Sequence, residues 1–320
     1  MVNYLIILIL SISTYVSAKE TKFEKRLQKD IKKLSRISGF IDNNLKLYDE
    51  EEISDKKNTI VVIFNHGQQD GQKKVERCNK GASDVPEFVR NLHNKKVNDL
   101  TIKIYRMCSG VRGLNDPQMD RAWDLLEQEG NPNGLLEIID YDGMRLFDKV
   151  KQHLRRQIVI DKIDELREKG FPNIIMAGQS CGGFLSIFLT AHFPDKIKGS
   201  IATNPACYGE NVAPRNVEGD KSTYSAWKVL RDDWEQTISQ FAEINSLAFI
   251  HDKDPYENSE TLSFLNKINK FQIVNYTDFG CNKMAGTSFH SAIVYPREDN
   301  CFTKWEAKHN YIINYLEEIF

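Results

Sequence analysis

Apolar runs alternate along this chain with amphipathic stretches of helical periodicity. Residues 59–64 form a continuous run rich in β-branched side chains, which predicts a strand buried on both faces. Further strands are predicted at 100–107, 173–177, 197–203, 247–251 and 271–276. Helices are predicted at 21–37, 85–94, 147–169, 183–192, 225–243, 260–270 and 304–319. Buried strands separated by helices need crossover connections, so the pattern predicts an α/β fold: a mostly parallel central sheet with helices on both faces.

Two segments interrupt this alternation, at 109–145 and 205–222, and both are rich in glycine, proline and polar residues. Each follows a predicted strand, so we expect them to be cap-like insertions over the carboxyl edge of the sheet, where pockets form in such folds. The first insertion is acidic, but it lacks EF-hand spacing and is interpreted as a solvated surface. No repeat or linker divides residues 19–320, which we predict to be a single domain.

The overall composition is that of an ordinary globular protein. The chain has 320 residues, 41% of them hydrophobic, and 43 Lys and Arg against 45 Asp and Glu, for a formal net charge of −2. This apolar content argues against a collagen-like or disordered chain. The nearly balanced charge lacks the basic excess of a general nucleic-acid binder, so no nucleic-acid partner is expected.

Residues 1–18 contain no charged side chain. A short apolar run at 5–10 is followed by Val16-Ser17-Ala18, which places small residues where signal peptidase cleaves. We therefore expect 1–18 to be a signal peptide and the mature protein to be exported, periplasmic or extracellular, without stable membrane insertion. The segment has no Lys or Arg near its start, so an uncleaved anchor remains the alternative.

Export makes disulfides possible for the six cysteines. Sequence cannot choose among the 15 connectivities that six cysteines allow. Sequence order gives one hypothesis: Cys78–Cys108, Cys281–Cys301 and Cys181–Cys207. No CxxC pair occurs, so the sequence gives no support for a zinc site.

The clearest chemical motif is Gly178-Gln179-Ser180-Cys181-Gly182, which matches G-x-S-x-G between a predicted strand and a predicted helix. A sharp strand-to-helix turn would expose the Ser180 hydroxyl at the carboxyl edge of the sheet. Gly178 and Gly182 lack the side chains that would clash in such a turn. The alternative is a glycine- and serine-rich turn that arose by chance.

With this motif the chain resembles the α/β-hydrolase superfamily over roughly residues 59–315. The resemblance rests on the serine turn and on three further features in the family's order. These are Asn65-His66-Gly67 after the first long strand, Asp254-Pro255 after a late strand, and His290 in a loop before the last helix. The chain looks most like the secreted esterase and dienelactone-hydrolase-like branch, although the dienelactone hydrolases proper carry cysteine at the position of Ser180.

The resemblance implies a catalytic triad of Ser180, His290 and Asp254. A serine hydroxyl is a poor nucleophile without a base, and among seven histidines His290 lies where the family's base lies. Asp254 follows a buried strand and precedes a proline, which fits the acid that orients the base. Asp252, two residues earlier, remains the alternative acid.

The resemblance also implies an oxyanion hole formed by the backbone N–H groups of Cys181 and Gln68. His66 and Gly67 are interpreted as a structural turn. A cysteine nucleophile at Cys181 is disfavoured, because its position in the turn points it away from the exposed apex.

These residues predict an exported serine hydrolase that cleaves a carboxylic ester, small or polymeric, without a cofactor or metal ion. A serine peptidase or an acyltransferase would use the same triad. The alternative of a different class is a secreted, non-catalytic binding protein that keeps the hydrolase fold.

Overall fold

The computed structural model describes residues 22–42, 44–67, 85–109, 143–208, 212, 221–279, 289–291 and 310–320. The predicted signal peptide and most of the two predicted insertions lie outside these residues. Of the helices in the described ranges, none combines the length and the apolar character that a membrane span requires.

A nine-stranded sheet forms the centre of the described fold. The strands are β1 (Gly39–Ile41), β2 (Leu47–Tyr48), β3 (Thr59–Asn65), β4 (Lys96–Val97), β5 (Leu100–Met107), β6 (Asn173–Gln179), β7 (Gly199–Thr203), β8 (Glu243–Ile250) and β9 (Asn269–Asn275). Their order is β2-β1-β5-β3-β6-β7-β8-β9, with β4 paired to β5. The six strands from β5 to β9 along this order pair in parallel, and β1, β2 and β4 pair antiparallel. The prediction of a mostly parallel sheet is therefore confirmed.

Helices connect and cover the strands. The α-helices are α1 (Lys22–Ile37), α2 (Glu87–Arg90), α3 (Gly143–Glu168), α4 (Cys181–His192), α5 (Lys221–Ile238) and α6 (Tyr311–Ile319). Short 3-10 helices are η1 (Glu50–Glu52), η2 (Ser263–Lys267), η3 (Thr277–Phe279) and η4 (Phe289–Ser291).

The central strand β3 is buried along its whole length, because both of its faces carry a core. Val62 belongs to the cluster that includes Leu316 of α6, whereas its neighbour Ile63 belongs to the cluster that includes Ile163 of α3. Successive side chains of a strand point to opposite faces, so α6 and α3 cover opposite sides of the sheet. This explains why β3 is continuously apolar in sequence.

The prediction of an α-helix at 260–270 is wrong. This segment forms the short helix η2, and β9 already begins at Asn269. The side-chain oxygen of Asn258 accepts the backbone N–H groups of Glu260 and Thr261, both at 3.0 Å, which fixes a turn instead. Between this turn and β9 the chain forms only the five-residue 3-10 helix η2.

The helix predicted at 85–94 is present only as α2. Its continuation is a turn that ends at Asn94, whose φ of +63° lies in the left-handed region. The Asn94 N–H donates to Ile102 O at 2.8 Å, which ties the turn to β5. Three short strands, β1, β2 and β4, were not predicted, and strand β8 begins four residues earlier than expected, at Glu243.

The parallel arrangement brings the ends of six strands to one edge of the sheet. Strands β3, β5, β6, β7, β8 and β9 end at residues 65, 107, 179, 203, 250 and 275. The residues that follow them therefore meet at the carboxyl edge, where ligands bind in open α/β sheets. Among the candidate site residues in the described ranges, Gly178 lies near the end of β6, and the others follow one of these strands.

Candidate active site

Ser180 occupies the sharp turn between β6 and α4. Its φ of +56° and ψ of −127° are rare for a residue with a side chain, and such strained conformations cluster at functional sites. The turn is held on both sides: the Ser180 N–H donates to Thr203 O at 3.1 Å, and the Gly183 N–H donates to Ser180 O at 2.8 Å. The backbone therefore holds this serine in place at the edge of the sheet.

The glycines of the motif are required by close backbone approach. A Cβ added at Gly178 would lie 2.1 Å from Gly182 O, and one added at Gly182 would lie 2.1 Å from Asn65 O. A Cβ at Gly67 would lie 3.1 Å from Ser180 Cβ. Residues 65–67 and 178–182 thus pack backbone against backbone, and this contact sets the position of Ser180.

The side chains of Ser180, His290 and Asp254 form a continuous hydrogen-bonded chain. His290 Nε2 lies 2.8 Å from Ser180 Oγ, and His290 Nδ1 lies 2.7 Å from Asp254 Oδ2. The Asp254 side chain is fully buried and that of His290 is 13% exposed. The three residues come from the turn after β6, the loop after β8 and the helix η4 after β9. The structure thus brings together the three residues that the sequence singled out.

This geometry suits removal of a proton from the serine. Asp254 is an acceptor when ionised, so the Nδ1–H of His290 donates to it and leaves Nε2 free to accept. The Ser180 hydroxyl is within reach of Nε2 and also lies 3.1 Å from Ala206 O. When the hydroxyl donates to Nε2, the imidazole is placed to act as a general base.

The alternative acid, Asp252, points elsewhere. Its carboxylate accepts hydrogen bonds from the Ser259 hydroxyl and, at 2.7 Å, from Asn275 Nδ2. Burial alone would raise the pKa of Asp252, but these hydrogen bonds outweigh it and hold that pKa below its usual value. The structure brings Asp254, and not Asp252, to His290.

Cys181 contributes the first amide of α4 to the predicted oxyanion hole. It is the first residue of the helix, where the helix dipole favours negative charge. Gln68, the second predicted donor, lies outside the described residues. Its neighbours His66 and Gly67 pack against the serine turn.

His66 is buried and holds the turn after β3 by both ring nitrogens. The Ser109 N–H donates to Nε2 at 3.3 Å, which leaves the proton on Nδ1, 2.8 Å from Gly67 O. The structural role predicted for His66 agrees with these contacts. None of them involves Ser180 or His290.

A buried arginine braces the same turn and was missed from sequence. Arg155 of α3 is 0% exposed; its Nη2 donates to His66 O at 2.7 Å and its Nε donates to Ser109 Oγ at 3.1 Å. Burial lowers its pKa to about 10. Arg155 precedes the core residues Val159 and Ile163 by one and two helical turns. Its place on the apolar face of α3 was the signal that could have found it.

The residue after Ser180 is held by a disulfide. Cys181 is bonded to Cys207, which confirms that predicted pair and leaves no thiol at Cys181 to act as a nucleophile. The Gln152 Nε2 of α3 donates to Cys207 Sγ at 3.3 Å. Cys108 is also disulfide-bonded, while Cys78, Cys281 and Cys301 lie outside the described residues.

The loop of His290 is held by aromatic contacts that sequence analysis did not find. Phe289, directly before His290, stacks on the ring of His251 at 4.7 Å. The His251 ring in turn meets the Tyr276 ring edge-on at 5.0 Å. Gln179 Nε2 also donates to His290 O at 3.4 Å.

Within the described ranges, no three His, Cys, Asp or Glu side chains form a group that could hold a metal ion.

Comparison with known proteins gives structural matches only. No family model and no curated sequence matches the chain. Among solved structures it is similar to Est1E from Butyrivibrio proteoclasticus, at 14% identity and a TM-score of 0.44 over 82% of this chain and 90% of that one. It is also similar to a monoacylglycerol lipase from Paleococcus ferrophilus, at 13% identity and a TM-score of 0.45 over 81% and 95% of the two chains. A third is an arylesterase, at 13% identity and a TM-score of 0.43 over 96% and 95%.

With TM-scores below 0.5, these likenesses carry no conclusion about the substrate. The fold itself is read from the chain's own features. The order of the parallel strands and the strand–turn–helix at Ser180 are those of the α/β-hydrolase fold.

Proposed function

We propose that this protein is an exported serine hydrolase that cleaves a carboxylic ester through an acyl-enzyme on Ser180. The observation that carries this proposal is the position of His290, whose two ring nitrogens lie 2.8 Å from the Ser180 hydroxyl and 2.7 Å from the Asp254 carboxylate. A turn that is rich in glycine and serine only by chance would not explain these two hydrogen bonds.

The reaction follows from these contacts. Ser180 Oγ attacks the ester carbonyl carbon while its proton passes to His290 Nε2, and Asp254 stabilises the imidazolium that forms. The negative charge on the carbonyl oxygen is placed beside the Cys181 N–H at the start of α4. The tetrahedral species then collapses, and Nε2 returns the proton to the departing alcohol oxygen. Water, activated by the same imidazole, releases the acyl group from Ser180.

Export is proposed from two independent features. The uncharged segment 1–18 has the apolar run and small residues of a signal peptide. Cys181–Cys207 and Cys108 are disulfide-bonded, and disulfides persist mainly in oxidising compartments.

The first test of this proposal is capture of the acyl-enzyme. The mature protein is mixed with p-nitrophenyl acetate, quenched in acid, digested and mapped by mass spectrometry. We expect one acetyl group on the peptide that contains Ser180, and none on that peptide in Ser180→Ala. Ser239→Ala changes an exposed serine elsewhere and is the matched control, expected to acetylate normally. Hydrolysis with an acetyl group on a different residue would contradict the proposal.

The same reaction separates the hydrolase from an acyltransferase. When a small alcohol is added, water and the alcohol compete to accept the acyl group from the acyl-enzyme. A hydrolase gives mainly acetate at low alcohol concentration, whereas an acyltransferase gives mainly the new ester.

A further inference from the structure

A buried amide contacts the carboxylate of the proposed triad. Asn204 directly follows β7 and is 1% exposed. Its Nδ2 donates to Asp254 Oδ2 at 2.9 Å, and this is the same oxygen that His290 Nδ1 approaches at 2.7 Å. The other carboxylate oxygen, Oδ1, accepts the Tyr256 N–H at 2.9 Å. Three donors thus fix both oxygens of Asp254, and Asn204 is the side chain among them that carries no proposed chemical role.

A buried phenol sets the orientation of this amide. Tyr276 follows β9, is 0% exposed, and its hydroxyl donates to Asn204 Oδ1 at 2.7 Å. With its oxygen held by a donor, the amide must present its NH₂ group to Asp254. Burial raises the pKa of Tyr276 well above its usual value, so the phenol keeps the proton that this contact needs.

The backbone of Asn204 is as constrained as its side chain. Its φ of +42° lies in the left-handed region, which asparagine and aspartate adopt more readily than other residues with side chains. Its N–H donates to Phe249 O at 2.8 Å, so the residue is tied to the end of β8, five residues before Asp254. A strained and buried asparagine at the catalytic edge, hydrogen-bonded through its backbone N–H and both ends of its amide, needs an explanation beyond packing.

We propose that Asn204 is a positioning residue for the acid of the triad, held in register by Tyr276; this inference rests on the proposed function of Ser180, His290 and Asp254. The amide N–H stabilises the ionised carboxylate of Asp254 and keeps Oδ2 directed at His290 Nδ1. The pair therefore acts on Ser180 through Asp254 and His290, without touching the substrate.

Two substitutions at position 204 test this role, and both tolerate the left-handed backbone. Asn204→Gly removes the donor, and Asn204→Asp keeps the shape but replaces the donor by a second carboxyl oxygen beside Asp254. We expect both to lower kcat for p-nitrophenyl acetate by about 10- to 100-fold with little change in KM, since misplacing a catalytic group has effects of this order. In Asn204→Asp two carboxyl groups lie within hydrogen-bond distance and hold one proton between them at low pH. When that proton is lost, the second negative charge favours the protonated imidazole, so the acid limb of the pH–rate profile is expected to move to higher pH.

The pH readout depends on which other charges surround the network. In the described part of the chain these groups include Asp254 itself and Tyr256, whose ring lies 4.6 Å from that of His290. They also include His251, whose ring contacts those of Tyr276 and Phe289, and Lys253, whose ammonium group lies above the Phe289 ring. None of them is altered in the variants at position 204. A moved acid limb therefore reports the new charge at 204, whereas a merely structural loss lowers the rate without moving the limb.

Tyr276→Phe supplies the second arm, because it removes one hydroxyl and keeps the buried ring. We expect it to lower kcat at least threefold in the wild-type background and by clearly less in Asn204→Gly. There the shorter hydrogen bond of the hydroxyl, to Asn204 Oδ1 at 2.7 Å, is already lost, and only its longer contact with Phe289 O at 3.4 Å remains. Independent, multiplying effects of the two substitutions would overturn the proposal, and so would a wild-type acid limb in Asn204→Asp.

Acetylation of Ser180 by the same ester is followed in parallel. Absence of acyl-enzyme from the wild-type protein would remove the proposed function and this inference together. Normal acetylation of the wild type, with either overturning result above, would remove the inference alone. If the variants at position 204 fail to fold, an unchanged kcat in Tyr276→Phe overturns the inference.

Discussion

Replacing Ser180 by alanine is expected to lower kcat for ester hydrolysis by about 10⁴-fold or more, the scale found when a serine triad loses its nucleophile. His290→Ala is expected to lose as much, because the hydroxyl has no base without the imidazole 2.8 Å away. The double variant is expected to fall no further, since members of a triad act as a unit. Steady-state kinetics with p-nitrophenyl acetate measure all three. A double variant far below either single variant would mean that the two residues act separately.

The chain offers a matched control for the acid. Asp254→Asn removes the carboxylate that faces His290, and we expect a loss of about 10³- to 10⁴-fold. Asp252→Asn changes the neighbouring carboxylate, which faces Ser259 and Asn275, and is expected to stay within about twofold of the wild type. Equal losses in the two variants would contradict the assignment of Asp254.

Gly182→Ala is expected to be one of the most damaging substitutions for stability. Its Cβ would lie 2.1 Å from Asn65 O and 2.6 Å from His66 O, and both atoms belong to backbone that cannot rotate away. The turn after β3 and the turn at Ser180 would have to separate, which we expect to cost more than about 3 kcal/mol of unfolding free energy. Urea unfolding followed by circular dichroism measures this.

Gly39→Ala is the control for this substitution. Its Cβ would lie 3.6 Å from both Leu47 Cδ2 and Tyr48 O, an ordinary contact distance. We expect its unfolding free energy to stay within about 1 kcal/mol of the wild type. If Gly182→Ala were as stable as Gly39→Ala, the close backbone packing that positions Ser180 would be wrong.

The sequence predicted those parts of the fold that depend on local pattern. Strand β3 is apolar because both of its faces are covered, and the serine turn carries glycine because a Cβ at Gly178 or Gly182 would lie 2.1 Å from a backbone oxygen. Both causes produce a recognisable pattern in consecutive residues. Strands β1, β2 and β4 show no such pattern, because they are two or three residues long and form through pairing with a neighbouring strand.

The contacts made by the supporting residues of the site could not be predicted from sequence for a related reason. Arg155 meets His66 across 89 positions of the chain, and Tyr276 meets Asn204 across 72. Such contacts depend on which strands become neighbours in the sheet, and no local spacing records that. The triad residues were predicted because a sequence motif and the order of the residues along the chain identify them. The buried polar residues that support them belong to no such motif or order.

Labelling with a fluorophosphonate tests whether Ser180 is activated, because the reagent modifies activated serines and does not require knowledge of the substrate. We expect a stoichiometric adduct on the peptide containing Ser180, and its loss in His290→Ala, in which the serine remains but its base does not. A folded, disulfide-bonded protein that gives no adduct, or one labelled equally in His290→Ala, would contradict an activated serine at position 180.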